Sequence, residues 1–144
     1  MSAHPIVIAL DTSVLVAALL GPKGPARAVL QQCLAGRFEL VMGAALLAEY
    51  EAVLSRDELF ATCALSADER SELLDALMVS SRWPRIYYLW RPNLPDEADN
   101  HVIELAIAGG ARYIVTNNIR DFAGGELHFP HLRIVLPQTL LREI

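Results

Sequence analysis

Five short apolar runs of strand character alternate with segments of helical periodicity along this chain of 144 residues. The runs span residues 4–10, 39–42, 85–90, 113–116 and 132–136. Strands that alternate with helices in this way predict a mainly parallel sheet with helices on both faces. The length is that of one domain, and a chain of this size can bury about two thirds of its unfolded surface. We therefore predict a single α/β domain over residues 1–144.

Apolar residues at helical spacing predict four helices, at 25–34, 44–54, 66–79 and 98–108. Pro25 is typical of a first helical turn, and Ser66 with Glu69 has the spacing of a capping box. Gly109 and Gly110 are the usual signal for the end of a helix.

Composition excludes some classes of function. The net charge of −5 argues against a protein that coats duplex DNA by bulk electrostatics, but not against a nuclease, because an acidic metal site itself lowers the charge.

Cys33 and Cys63 are too few for a disulfide framework and are interpreted as buried thiols. No signal peptide is recognisable, and no apolar segment approaches the roughly 20 residues that span a bilayer. We expect a cytoplasmic protein without a membrane segment.

Asp11 interrupts the apolar stretch "IVIALDTSVLVAALL", directly after the first strand-like run. In an open parallel sheet, ligands bind beyond the carboxyl ends of the strands, so Asp11 is a candidate site residue. The alternative is that Asp11, Thr12 or Ser13 only caps the next helix. The stretch alone leaves both interpretations open.

Asp99 falls on the apolar stripe of the last predicted helix, together with Val102, Ile103 and Ala106. A carboxylate there needs compensation, because an unpaired buried charge costs several kcal/mol. Helix capping is again the alternative, and Asp96 fits that role better than Asp99.

Two further acidic positions remain ambiguous from periodicity. Glu49 and Glu51 flank the apolar stripe of the second helix on opposite sides, and their spacing does not choose between them. Asp121 follows the fourth strand-like run, where a turn role is the alternative.

Asp11, Asp99 and Asp121 are predicted to meet at one edge of the sheet. Two like charges 4 Å apart repel by about 4 kcal/mol at an effective dielectric constant of 20, so such a cluster calls for a cation. Carboxylate oxygens with few histidine or cysteine ligands select Mg²⁺ or Mn²⁺.

Four segments in this order and spacing resemble the PIN domain, in particular the bacterial toxin-like PIN proteins related to VapC. They are "ALDTSVL", "LLAEYEAVL", "PDEADNHVIELAIAGGARYIVTNNIRDF" and "RIVLPQTLL", and the resemblance covers nearly the whole chain. It implies a three-layer α/β/α sandwich around a mainly parallel sheet of about five strands. It also implies a Mg²⁺- or Mn²⁺-dependent endoribonuclease for single-stranded RNA, usually a homodimer, with a small antitoxin protein as a possible partner.

The resemblance also assigns residues to roles. It implies catalytic roles for Asp11, Glu49, Asp99 and Asp121, with Asp11, Asp99 and Asp121 as metal ligands, and it is this pattern that selects Glu49 over Glu51. Polar neighbours of the metal or phosphate would be Thr12, Ser13, Thr116 and Asn117.

The chain departs from the family pattern at Asn118, where many relatives carry an acid. An amide can orient water but brings no charge, so a second metal would bind weakly or only with substrate, and Asp96 would compensate in part.

RNA contacts are harder to predict. Arg120, beside Asp121, is the better candidate for a phosphate contact. The segment "SRWPRIYYLWRP" interleaves arginines with aromatic residues, which fits base stacking and equally fits the interior of a strand. His101, His128 and His131 are interpreted as surface or loop residues.

Other classes compete with the nuclease. Haloacid-dehalogenase phosphatases need a second aspartate two residues after the first, where this chain has Ser13, and a receiver domain lacks its acidic pair. The non-enzymatic alternative is a catalytically weak PIN-like module that binds RNA or a partner protein, and Asn118 keeps it open.

Overall fold

The computed structural model describes residues 4–21, 23–84, 97–123 and 131–144, with the side chains of residues 97–100 and 123 outside the description. The described residues form a parallel sheet of four strands in the order β2-β1-β3-β4. The strands are β1 (Ile6–Leu10), β2 (Phe38–Leu40), β3 (Tyr113–Val115) and β4 (Arg133–Val135). The predicted parallel sheet is confirmed, and the predicted run at 85–90 lies outside the described residues.

Helices connect the strands. They are α1 (Thr12–Leu20), α2 (Pro25–Leu34), α3 (Ala44–Leu54), α4 (Ala67–Val79), α5 (Glu97–Ala108), α6 (Ile119–Ala123) and α7 (Pro137–Glu143). The four predicted helices correspond to α2 through α5. The capping box is present: the Glu69 N–H donates to Ser66 Oγ at 3.2 Å, and the Ser66 N–H donates to Glu69 Oε1 at 2.9 Å. Helix α1 was expected after Asp11 without predicted bounds, because its sequence is apolar almost throughout and shows no stripe. Helices α6 and α7 were not predicted, because five and seven residues are too short to show a period.

The order of the strands places helices on both faces of the sheet. The chain moves from β1 outward to β2, continues outward to a parallel bridge between Val41 and Arg82 at the far side of β2, and then returns across β1 to β3. Because parallel crossovers are right-handed, the outward moves put α1–α4 on one face of the sheet and the return puts α5 on the other. In agreement, α3 contacts α1 and α4 contacts α2, whereas α5 packs on β1 and β3. The predicted α/β/α sandwich is confirmed. The direction of the chain reverses between β1 and β3, the position in such sheets where ligands bind.

The core holds the carboxyl end of β1 rigidly. Ile8 and Ala9 have no exposed surface, and all of β3 is buried. Behind the sheet, Gly109 closes α5 so near to the chain after β2 that a Cβ atom there would come within 2.4 Å of Val41 Cγ1. Gly110 then takes a left-handed conformation, with φ of 69°.

A buried arginine organises the connection between α3 and α4. Arg70 is only 3% exposed, and its guanidinium donates to the carbonyl oxygens of Leu54 at 3.0 Å and Leu65 at 3.2 Å. It also pairs with Asp57 at 2.7 Å and lies 4.6 Å from the ring centre of Phe60. Arg70 therefore satisfies backbone groups that the loop leaves without a partner.

Among the described residues, no single helix is long and apolar enough to cross a membrane. Helices α1 and α2 reach that length and apolarity only when they are taken together, across a bend of 103°.

Candidate active site

Asp11 lies at the carboxyl end of β1, 8% exposed, and its backbone N–H extends the pairing with β3 by donating to the Val115 carbonyl at 2.9 Å. Its carboxylate oxygen Oδ2 accepts hydrogen bonds from Ser13 Oγ and Thr116 Oγ1, each at 2.7 Å. Asp11 occupies the position before α1 but makes no side-chain capping bond to that helix. The capping interpretation is therefore wrong for this side chain.

The loop after β3 directs both hydroxyl protons toward Asp11. The backbone N–H of Asn117 donates to Ser13 Oγ at 3.1 Å, and the backbone N–H of Asn118 donates to Thr116 Oγ1 at 2.9 Å. Since each hydroxyl oxygen accepts one of these bonds, its own proton is free to point at the carboxylate. The side-chain amide of Asn117 adds a bond to the Ser13 carbonyl at 3.3 Å.

Helix α3 brings Glu49 toward the same end of the sheet. Glu49 is half-buried, and the next residue, Tyr50, is buried with its hydroxyl donating to the Leu10 carbonyl. Burial raises the pKa of Tyr50 well above its usual value, and the negative charges of Asp11 and Glu49 raise it further. Two of the predicted acids therefore lie near one buried hydroxyl.

Glu51 lies elsewhere. Its side chain is exposed and lines a cavity of about 370 Å³ between α3 and α4, with Asp57 and Ser71. The two glutamates that periodicity left equivalent thus lie in different surroundings, and Glu49 is the one beside Tyr50.

The backbone places the late aspartates at the same edge of the sheet. Helix α5 begins at Glu97, so Asp99 is its third residue rather than its cap, and the stripe of Val102, Ile103 and Ala106 is buried as predicted. A crossover helix returns antiparallel to its strands, so the first turn of α5 lies at their carboxyl ends. The side chain of Asp99 and all of Asp96 lie outside the described residues.

Asp121 lies in the short helix α6, not in a simple turn. Its side chain is exposed, and its backbone N–H donates to the Asn118 carbonyl at 3.0 Å. Asp121 therefore follows directly on the loop that fixes Ser13 and Thr116.

The donor atoms fit a hard divalent cation. Within the described part of the chain, the side-chain hydrogen bonds to Asp11 all end on Oδ2, which leaves Oδ1 for a ligand. Thr12 Oγ1, on the next residue, is buried and has no hydrogen-bond partner among the described residues. Carboxylate and hydroxyl oxygens suit Mg²⁺ and Mn²⁺. The described side chains alone include no group of three acids, histidines or cysteines that could hold a metal, so the predicted ligand set depends on Asp99.

A basic pocket that was not predicted from the sequence lies beside the site. A cavity of about 200 Å³ is lined by Lys23, Arg27 and Asn117, among others. The Arg27 Nε group donates to the Ala18 carbonyl at 2.9 Å, which anchors that side chain at the cavity. The sequence feature that could have indicated this pocket is the segment "GPKGPAR", which contains the only lysine of the chain and Arg27. Arg120, the predicted phosphate contact, is exposed on α6.

Most of the remaining reactive side chains lie apart from this site. His101 and His131 are exposed as predicted, and His128 lies outside the described residues. Cys33 is buried as predicted, and burial raises its pKa to about 12, so the thiol stays protonated. Cys63 is half-buried and donates to the Leu19 carbonyl at 3.2 Å. Glu104 was not singled out from the sequence either; it is buried on α5, and its Oε1 has no hydrogen-bond partner in the part of the chain that the structure describes.

A buried, oriented carboxylate at the switch point of a parallel α/β/α sandwich defines an α/β domain with an acidic site at the carboxyl edge of its sheet. The profile of the PIN domain family matches residues 7–120, so the chain belongs to the PIN domain family, whose members are generally nucleases. No curated protein matches the chain by sequence.

A solved structure has a similar fold. The crystal structure of VapBC2 from Rickettsia felis, bound to a DNA fragment from their promoter, contains a chain that superposes with a TM-score of 0.59 and 18% identity. The superposition covers 90% of this protein and 97% of that chain. At this identity the similarity concerns the fold alone.

Proposed function

We propose that this protein is an endoribonuclease that cleaves single-stranded RNA with Mg²⁺ or Mn²⁺. The observation that carries the proposal is the Asp11 carboxylate, which is buried at the switch point and oriented by two hydroxyl groups that bind only one of its oxygens. A capping aspartate would instead bind the backbone of its own helix. An oriented carboxylate with one oxygen available is what a metal-dependent nuclease needs.

Asp11, Asp99 and Asp121 would hold the metal, and Glu49 would complete the acidic cup. When bound, the cation would activate a water for in-line attack and stabilise the charge that develops on the phosphate oxygens. The chain's own residues would orient the carboxylate of Asp11. Ser13 and Thr116 hold this side chain in one rotamer, so it need not reorient during the reaction. The side chains of Asn117 and Asn118 are exposed beside the site and would donate to phosphate.

Basic side chains near the site would bind the RNA backbone. Lys23 and Arg27 line the cavity that Asn117 also lines, and Arg120 lies on α6 beside Asp121. In a chain of net charge −5, local cations of this kind allow an acidic site to accept a polyanion.

Replacing Lys23 by Gln is expected to raise KM for RNA about fivefold, with kcat unchanged. An exposed charge contact is worth about 1 kcal/mol, which corresponds to that change in affinity. Steady-state cleavage at two ionic strengths measures it. Arg37→Gln is the matched control, because Arg37 is exposed in the turn that leads into the amino end of β2. Equal KM values for the two variants would contradict the assignment of Lys23.

We infer further that the protein is a VapC-like toxin that forms a homodimer, acts in the cytoplasm and is inhibited by a small antitoxin. The fold shared with a chain of a VapBC2 complex supports this inference. Val79 and Trp83 are 89% and 50% exposed, and they offer apolar surface for a protein partner.

The second candidate is a catalytically weak PIN-like module that binds RNA or a protein. Asn118 favours it, because an amide stands where many relatives carry an acid and its backbone N–H is used to fix Thr116. This candidate predicts RNA binding without cleavage.

A labelled single-stranded RNA incubated with Mn²⁺, Mg²⁺ or EDTA tests the proposal. We expect cleavage with either metal, none with EDTA, and recovery when excess metal is restored, because the acidic donors supply no nucleophile of their own. Cleavage that persists in EDTA would contradict the metal-dependent mechanism. Binding of intact RNA without cleavage in any metal would establish the second candidate.

A further inference from the structure

The peptide group between Leu10 and Asp11 is hydrogen-bonded on both sides. Its N–H, from Asp11, donates to the Val115 carbonyl of β3 at 2.9 Å, and its C=O, from Leu10, accepts from the Tyr50 hydroxyl of α3. The plane of the peptide that carries Asp11 is therefore held from two different elements.

Tyr50 replaces a missing strand partner. Two residues earlier, the Ile8 carbonyl accepts from the Val41 N–H at 2.9 Å, on the side of the sheet where β2 lies. Carbonyls alternate sides along a strand, so the Leu10 carbonyl points to that same side. The register of β1 with β2 ends at Ile8 and Leu40, and the chain then turns into α3. The hydroxyl of Tyr50 supplies the donor that the strand no longer provides.

The position is deeply buried. Leu10 and Tyr50 are each 1% exposed, and a buried carbonyl without a donor is costly. Phenylalanine would fill the same space in the core, so packing does not explain the hydroxyl. What the hydroxyl adds is the contact with the peptide of Asp11.

The hydrogen bond joins the neighbours of two proposed site residues. Tyr50 follows Glu49 on α3, and Leu10 precedes Asp11 on β1. The raised pKa of Tyr50 keeps its hydroxyl protonated, so the hydroxyl remains a hydrogen-bond donor at neutral pH. A neutral, buried contact thus links the backbone segments that carry the two acidic residues.

We propose that Tyr50 is a positioning residue of the active site, whose hydroxyl fixes the Leu10–Asp11 peptide against α3 so that the metal ligand Asp11 keeps its place in the acidic cup beside Glu49. The inference rests on the proposed metal-dependent function. Tyr50 itself contacts neither RNA nor the metal in this role, and acts through the backbone of Leu10.

The test compares Tyr50→Phe with Tyr113→Phe. Tyr113 is also a buried tyrosine of this domain, but it begins β3 at the opposite end of the sheet, so the control removes the same atom away from Asp11. We expect Tyr50→Phe to bind Mn²⁺ about tenfold to a hundredfold more weakly by isothermal titration calorimetry, the range for lost outer-shell contacts. Cleavage at limiting Mn²⁺ falls in proportion while KM for RNA stays unchanged, and Tyr113→Phe resembles the wild type in both.

Equal Mn²⁺ affinity and equal cleavage in the two variants would overturn the positioning role, even with an active wild type. A third measurement needs no metal: the hydrogen-exchange rate of the Asp11 amide. Faster exchange in Tyr50→Phe than in Tyr113→Phe supports the role, and equal rates overturn it. If the wild type does not cleave RNA at all, the nuclease proposal fails, and this exchange rate still decides whether Tyr50 fixes the peptide of Asp11.

Discussion

Replacing Asp11 by Asn is expected to reduce RNA cleavage by at least about a thousandfold while the protein stays folded. The amide oxygen of asparagine still accepts the hydrogen bonds of Ser13 and Thr116, so the substitution removes charge and little else. Loss of a charged metal ligand removes several kcal/mol of transition-state stabilisation, and about 4 kcal/mol corresponds to a thousandfold in rate. Single-turnover cleavage at saturating Mn²⁺ measures the loss.

Asp75→Asn is the matched control for this experiment, since Asp75 is exposed on α4 and the same charge is removed there. It should cleave RNA like the wild type. We also expect the melting temperature of Asp11→Asn, without metal, to equal or exceed that of the wild type, because a buried charge is removed. An Asp11→Asn variant that keeps a tenth or more of the activity would contradict the central role of this carboxylate.

Replacing Arg70 by Met is expected to lower the free energy of unfolding by about 3–5 kcal/mol. The substitution leaves the carbonyls of Leu54 and Leu65 without their donor, and each buried unpaired group costs about 1–3 kcal/mol. Methionine retains contact with Phe60, so the loss comes mainly from the polar contacts. Urea unfolding measures the change, which corresponds to a fall in melting temperature of roughly 10–15 °C.

The matched control for Arg70 is its ion-pair partner. The side chain of Asp57 is 78% exposed, and an exposed ion pair contributes about 1 kcal/mol or less. Asp57→Asn should therefore unfold nearly like the wild type. Equal destabilisation by Asp57→Asn and Arg70→Met would show that the ion pair, not the buried carbonyls, accounts for the stability of this loop.

Local sequence signals predicted the elements that have enough residues to show a period. Helices α2 and α3 begin and end at the predicted residues, because their apolar stripes run over their whole length against the core. The capping box located the start of α4 for a similar local reason. Helices α6 and α7 carry too few residues for such a signal, so only the surrounding fold determines them.

The role of Asp11 could be narrowed from sequence but not decided. The residue after β1 both precedes α1 and lies at the ligand-binding edge of the sheet. The sequence is therefore compatible with a helix-capping role and with a metal-binding role for Asp11. The contact that distinguishes them is the hydrogen bond from Thr116, which lies 105 residues further along the chain. Only the pairing of β1 with β3 brings these residues together.

The contact of the Tyr50 hydroxyl could not be predicted from the sequence either. Its spacing placed it correctly in the buried stripe of α3, which says nothing about its hydroxyl. The partner of that hydroxyl is a backbone carbonyl 40 residues away, exposed to α3 because β2 ends early. The end of a strand pairing has no sequence signature of its own, so neither the contact nor its consequence for Glu49 could be predicted.

A crystal grown with Mn²⁺ and examined by anomalous diffraction tests most directly whether the acidic edge of this sheet is a metal site. We expect a single strong peak about 2.0–2.2 Å from Asp11 Oδ1, with Asp99 as a second ligand and Oδ2 still bonded to Ser13 and Thr116. The absence of a peak at Asp11 at millimolar Mn²⁺, or a peak only at surface carboxylates elsewhere, would contradict it.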